Sequence, residues 1–193
     1  MASFLSRLFG LGDAARLTVR GIPVEVDNSR PDIRTEDVLA RLDEALALIE
    51  RYQPIRFRHL QRDARAIRIE RYPCRGAFIP DERTVITELT FLARRDITAA
   101  PVASSILHEG VHARVHAFTT RVLGGYAPER DMAKEERLCR RAEIAFGRAL
   151  PLELGAPVLE RAMATLELDD RGVAPTVDWG EALRRQREVD AGL

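Results

Sequence analysis

The sequence predicts an α+β fold, a small and mostly antiparallel sheet followed by long helices. Three observations predict it. Between residues 55 and 93 apolar and polar residues alternate in short runs separated by turn residues, the period of half-buried strands. From residue 98 to about 119, and again from about 129 to 150, apolar residues recur at helical spacing. The length of 193 residues, with 46% hydrophobic and 31% charged content, suits one domain covering residues 1–193 with its own core.

In chain order, the opening segment places Phe4, Leu8 and Leu11 on one helical face, interrupted by Arg7. It has no long apolar core and no cleavage site, so it reads as a short docked helix rather than a signal peptide, with a weak membrane or partner contact as the alternative. Residues 16–26 read as two short strands around Gly21. Thr35 is positioned to cap a helix whose apolar residues are Val38, Leu39, Leu42, Ala45, Leu46 and Ile49, and Pro54 closes it. The strand-like runs are Ile55 to His59, Ala66 to Arg71, Gly76 to Ile79 and, after a turn at 80–83, Thr84 to Leu92. Asp96 or Thr98 then caps a helix with Pro101 in its first turn. Ala103, Leu107, Val111, Val115 and Phe118 form its apolar stripe. A loop around Gly124 and Gly125 leads to the next helix, which Pro151 ends. Residues 156–168 read as a further helix, and the tail from Asp169, containing Trp179, wraps the domain.

Net charge is zero, so no overall field draws the chain to nucleic acid or to anionic lipid. Seven arginines lie between Arg56 and Arg75, but they alternate with apolar residues and with Asp63 and Glu70, the pattern of a solvated sheet face. No nucleic-acid partner is expected. His59 alone reads as a surface or capping histidine rather than a ligand. No apolar run has the length of a membrane span. Two cysteines, Cys74 and Cys139, make no disulfide framework and point to a reducing cytoplasm.

The chemistry concentrates in His108-Glu109-Gly110-Val111-His112, a match to H-E-x-x-H. On a helix, positions i and i+4 lie about 40° apart around the axis and about 6 Å apart along it, so His108 and His112 can hold one Zn²⁺. Glu109 falls beside them, placed to take a proton from water at the metal. A catalytic zinc needs a third protein ligand. His116 continues the register but lies about 12 Å along the axis from His108, too far to close on the same ion.

An H-E-x-x-H helix, a loop and then a helix bearing glutamates resembles the gluzincin-type zinc metallopeptidases, over roughly residues 84–150. The resemblance implies a zincin-like fold, one Zn²⁺ per chain, a peptide or protein substrate, and a third ligand from the second helix. Glu136, 24 residues after His112, is the preferred candidate and Glu135 its rival. Glu143 shares the face of Glu136 and can orient a metal-bound histidine. Cys139, one turn on, is small enough to let the two helices approach. The family often carries aspartate or asparagine four residues after the ligand; Arg140 and Cys139 stand there instead. The expected function is a zinc-dependent hydrolase, a peptidase, in which Glu109 is the catalytic base and Tyr126 or His116 stabilises the oxyanion. A substrate strand would pair near Thr84 to Leu92. The alternatives are a zincin-like protein that regulates or senses without turnover, and a binding module whose histidines are structural.

Overall fold

The computed structural model describes residues 17–122, 124, 132–166 and 184. The expectations for the opening helix, for Tyr126 and for the tail with Trp179 lie outside them. Among the described residues no helix is long and apolar enough to cross a membrane.

Strands β1 (Leu17–Val19) and β2 (Ile22–Val26) form an antiparallel hairpin. Its two turn residues, Arg20 and Gly21, both have positive φ (48° and 77°), the geometry whose twist matches the flanking strands. Two helices follow, α1 (Thr35–Tyr52) and α2 (Pro54–Asp63), before the chain returns to the sheet as β3 (Ala66–Glu70). Then come β4 (Gly76–Ile79) and β5 (Thr84–Glu88).

The fold class is α+β as expected, but the sheet is mixed rather than mostly antiparallel. Its order is β1-β2-β3-β5-β4. β2 with β3 and β3 with β5 are parallel, while β1 with β2 and β4 with β5 are antiparallel. The reason is the crossover: α1 and α2 carry the chain back across the sheet, so β3 enters in the same direction as β2. Alternation of side chains is identical in both pairings, so the sequence pattern did not contain this difference.

The expected strand at Ile55 to His59 is helix α2. A strand would put Ile55 and Phe57 on the same face, yet Ile55 is 61% exposed and Phe57 3%. The buried residues Phe57, Leu60 and Asp63 recur every third position instead, and Pro54 at the first helical position presets the backbone. Thr35 is likewise inside α1 rather than its cap; its Oγ1 accepts a hydrogen bond from Asn28 Nδ2 at 3.1 Å. The expected strand Thr84 to Leu92 is cut at Glu88, whose carboxylate accepts from Phe91 N and Thr90 Oγ1, each at 2.6 Å. That cap starts the short helix α3 (Leu89–Ala93).

Helix α4 (Ala99–Val122) is the centre of the molecule. Thr98 caps it, accepting from Ala100 N at 3.4 Å, while Asp96 is engaged by Arg94. α4 packs on α1, α2, β4 and β5, and its side chains are buried on nearly every side down to Ala113. Ala103, Leu107 and Val111 join the core as expected, but Phe118, at 51% exposed, does not. Gly110 and several β-branched residues make α4 a weak helix in isolation. Burial holds it, each buried Val, Ile or Leu contributing about 1.5–3 kcal/mol. Helices α5 (Met132–Ala149) and α6 (Leu152–Leu166) complete the layer, α5 lying along α4. Arg56, Arg58 and Arg62 thus sit on α2, and Arg68 on the sheet is paired with Glu25 and Glu82 at 2.9 and 2.6 Å.

Candidate metal centre

Helical periodicity places His108 and His112 one turn apart on α4, with ring centroids 5.0 Å apart. What aims them is α5. Glu135, Cys139 and Glu143 recur every fourth residue, and Glu136 stands next to Glu135, so this face of α5 turns four polar side chains toward α4. Glu143 Oε1 lies 2.5 Å from His108 Nδ1, and Glu135 Oε1 lies 2.7 Å from His112 Nδ1. Glu143 is itself held by Ser104 Oγ at 3.3 Å and Arg140 Nη1 at 2.8 Å. A carboxylate on Nδ1 fixes the proton there and leaves Nε2 as the ligating atom.

Both Nε2 atoms face the Glu136 carboxylate. Oε2 is 3.3 Å from His108 Nε2 and Oε1 is 3.2 Å from His112 Nε2. Cys139 Sγ lies 3.5 Å from His112 Nε2, and the ligating atoms of His108, His112 and Cys139 all fall within 4.8 Å of one another. Donors to one tetrahedral ion, with metal–N and metal–O bonds of about 2.0–2.2 Å, stand about 3.3–3.5 Å apart. The spacing of His108, His112 and Cys139 fits a small cation among them, with the Glu136 carboxylate against both Nε2 atoms.

The charges fit too. Glu109, Glu135 and Glu143 are buried, with Glu136 nearly so. Buried carboxylates are costly unless compensated. Arg140 supplies one positive charge. The two imidazoles add to it by holding protons. Burial works against the charged form of both rings, but Cys139, Glu136 and Glu143 outweigh it at His108, which sits well above its ordinary value. Cys139, Glu135 and Glu136 push His112 up to about 11. Burial would raise Glu136, yet the two imidazoles hold it far below the ordinary carboxylate range. A divalent cation would supply this positive charge in place of the two ring protons.

Burial raises Glu109, and His108 and His112 only partly offset that, so its carboxylate is disposed to receive a proton. It opens onto a cleft of about 600 Å³ whose lining includes Gly76, Phe78, Ser105, His112, Glu136 and Arg161. A Cβ on Gly76 would stand 3.0 Å from Ser105 Oγ, 3.2 Å from Ile86 O and 3.3 Å from Glu109 Cγ. The missing side chain is what allows β4 to lie this close over α4.

His108, Glu109, His112 and Glu136 are thus brought together, and Glu143 lies behind His108, on its Nδ1. Glu135 is on the far side of His112, on Nδ1, not on the face shared by the two Nε2 atoms. His116 stands apart, its ring 5.7 Å from that of Phe78. The expected edge at Thr84 to Leu92 is corrected: β5 is paired on both sides, and β4 forms the sheet edge beside the cleft. Sequence reasoning read Cys139 as a space-saver and missed Ser104 and the contact of Arg140 with Glu143. The spacing of 135, 139 and 143 was the available signal. Comparison of the chain with protein-family models, with curated proteins and with solved structures finds no match in any of the three, so a functional reading rests on the site itself.

Proposed function

We propose that His108, His112 and Glu136 bind one Zn²⁺ and that the protein is a zinc-dependent hydrolase acting on peptide bonds. The observation that carries this reading is the pair of Nε2 atoms facing one carboxylate at 3.2 and 3.3 Å, with each Nδ1 anchored on its own glutamate. Zinc held there supplies Lewis acidity, making water acidic near neutral pH and polarising a carbonyl oxygen. Glu143 and Glu135 keep the two imidazoles in the ligating tautomer. Glu109 accepts the proton of the attacking water on its carboxylate and passes it to the leaving nitrogen. The outer edge of β4, which the described sheet leaves unpaired beside the cleft, favours an extended peptide as the substrate. The two free thiols, one of them inside the cluster, favour a reducing compartment such as the cytoplasm. The second reading, a regulatory or sensing metal site without turnover, is favoured by Cys139 Sγ standing at the same cluster.

The test uses tag-free protein, assayed for bound zinc and for cleavage of a quenched-fluorescent peptide library. Glu109→Gln is expected to keep its zinc and to lose hydrolysis by 10²-fold or more, on the order of a general-base contribution. Cleavage that survives Glu109→Gln refutes the mechanism, and a protein that neither contains nor takes up zinc refutes the site.

A further inference from the structure

We infer that Cys139 ligates the metal through its thiolate, alongside His108, His112 and Glu136. The inference rests on the reading that this cluster binds a metal ion and adds a residue to it. Cys139 is fully buried at the edge between the apolar core and the cluster, and its sulfur faces an imidazole nitrogen. The separation of 3.5 Å from His112 Nε2 equals the distance expected between sulfur and nitrogen donors of one tetrahedral zinc, about 3.5–3.6 Å for bonds of about 2.3 and 2.0–2.1 Å. Position matters as well. Cys139 follows Glu136 by three residues on the same helix face, so α5 provides two donors where α4 provides two.

The hydrogen bonds support the same set: Glu135 and Glu143 are engaged by the Nδ1 atoms, which leaves the Glu136 carboxylate and the Cys139 sulfur beside the Nε2 atoms. On binding, the S–H proton is released to solvent and the sulfur lone pair forms the bond to the metal. Two consequences follow. The ion clamps α4 to α5, so metal loading stabilises the fold by mass action. Four protein donors would complete a tetrahedral shell, so water would enter by displacing Glu136 or Cys139 or by expanding the shell to five donors. The thiolate thereby sets how open the centre is.

The experiment is X-ray absorption on zinc-loaded, tag-free protein, paired with electronic spectra of the Co²⁺-substituted form. Wild type and Cys74→Ser, whose remaining cysteine is Cys139, are expected to show one sulfur at about 2.3 Å and a thiolate-to-cobalt charge-transfer band. Cys139→Ser is expected to lose both and to bind zinc more weakly, by more than the 10–100-fold typical of residues behind the ligands. Bound zinc with only nitrogen and oxygen neighbours in wild type overturns the Cys139 assignment and leaves the zinc reading intact. A sulfur signal lost in Cys74→Ser overturns it in favour of Cys74, which also lines the cleft. Failure of every form to take up metal overturns both. The Cys74→Ser measurement decides the matter even if Cys139→Ser does not fold.

Discussion

Glu135→Ala and Glu136→Ala, one residue apart, should weaken zinc binding to different degrees and for different reasons. Neighbouring helix positions differ by about 100° around the axis, which is why Glu136 faces both Nε2 atoms and Glu135 reaches only the Nδ1 of His112. Truncating Glu135 removes the acceptor at 2.7 Å and leaves a buried N–H without its partner, a loss of about 1–3 kcal/mol. Outer residues of this kind typically change metal affinity 10–100-fold, or about 1.4–2.7 kcal/mol, and the two figures agree. Glu135→Gln retains a carbonyl acceptor and should recover most of the loss. On the proposed ligand set Glu136→Ala removes a donor to the ion itself, and its loss should exceed 100-fold. Zinc dissociation constants from competition with a chromophoric chelator, at fixed pH and with circular dichroism to verify the fold, give the ranking. A larger loss in Glu135→Ala than in Glu136→Ala would refute the assignment. Equal damage from Glu135→Gln and Glu135→Ala would show that the hydrogen bond does not set the imidazole.

Two further predictions concern the scaffold. Gly155→Ala tests the crossing of α5 and α6: the added Cβ would fall 2.2 Å from Gly147 O, a backbone atom that moves only if the helices separate. Helix propensity alone would favour alanine by about 1 kcal/mol, so destabilisation by about 1–3 kcal/mol in a urea melt supports the close crossing, and a gain in stability contradicts it. Asp63, fully buried, receives Arg62 at 2.8 Å and Arg121 at 3.1 Å, with Arg114 at 3.6 Å, tying α2 to α4. Burial alone would raise its carboxyl, but the hydrogen bonds from Arg62 and the charges of Arg62, Arg114 and Arg121 hold it below the ordinary value. The resulting stability is present in full above the unfolded carboxyl value of about 3.9 and is lost as pH falls through the lower folded value. Asp63→Asn should therefore cost about 1.5–3 kcal/mol at pH 7, and guanidinium melts should show the gap to wild type closing below about pH 4. A gap that widens on acidification contradicts the pairing.

What the sequence determined by itself was local and periodic. The spacing of His108 and His112 puts both on one helix face whatever they pack against, because the helical repeat is a property of the backbone. Gly21, Pro54 and Pro151 mark their boundaries through φ alone. The stretch at Ile55 to His59 alternates like a strand over only five residues, and the burial of Phe57 and Leu60 beneath α4 selects the helix. Strand direction was equally invisible, since alternation carries no sign and the crossover through α1 and α2 decides it. The same limit applied at the metal cluster. Glu135, Glu136, Cys139 and Glu143 all lie near one side of α5, and their roles differ only through its rotation against α4. That rotation follows from core packing, with Phe146, Ala142 and Cys139 fully buried. It places Glu136 before the two Nε2 atoms, puts Glu135 and Glu143 behind the rings, and brings the Cys139 sulfur to the imidazoles.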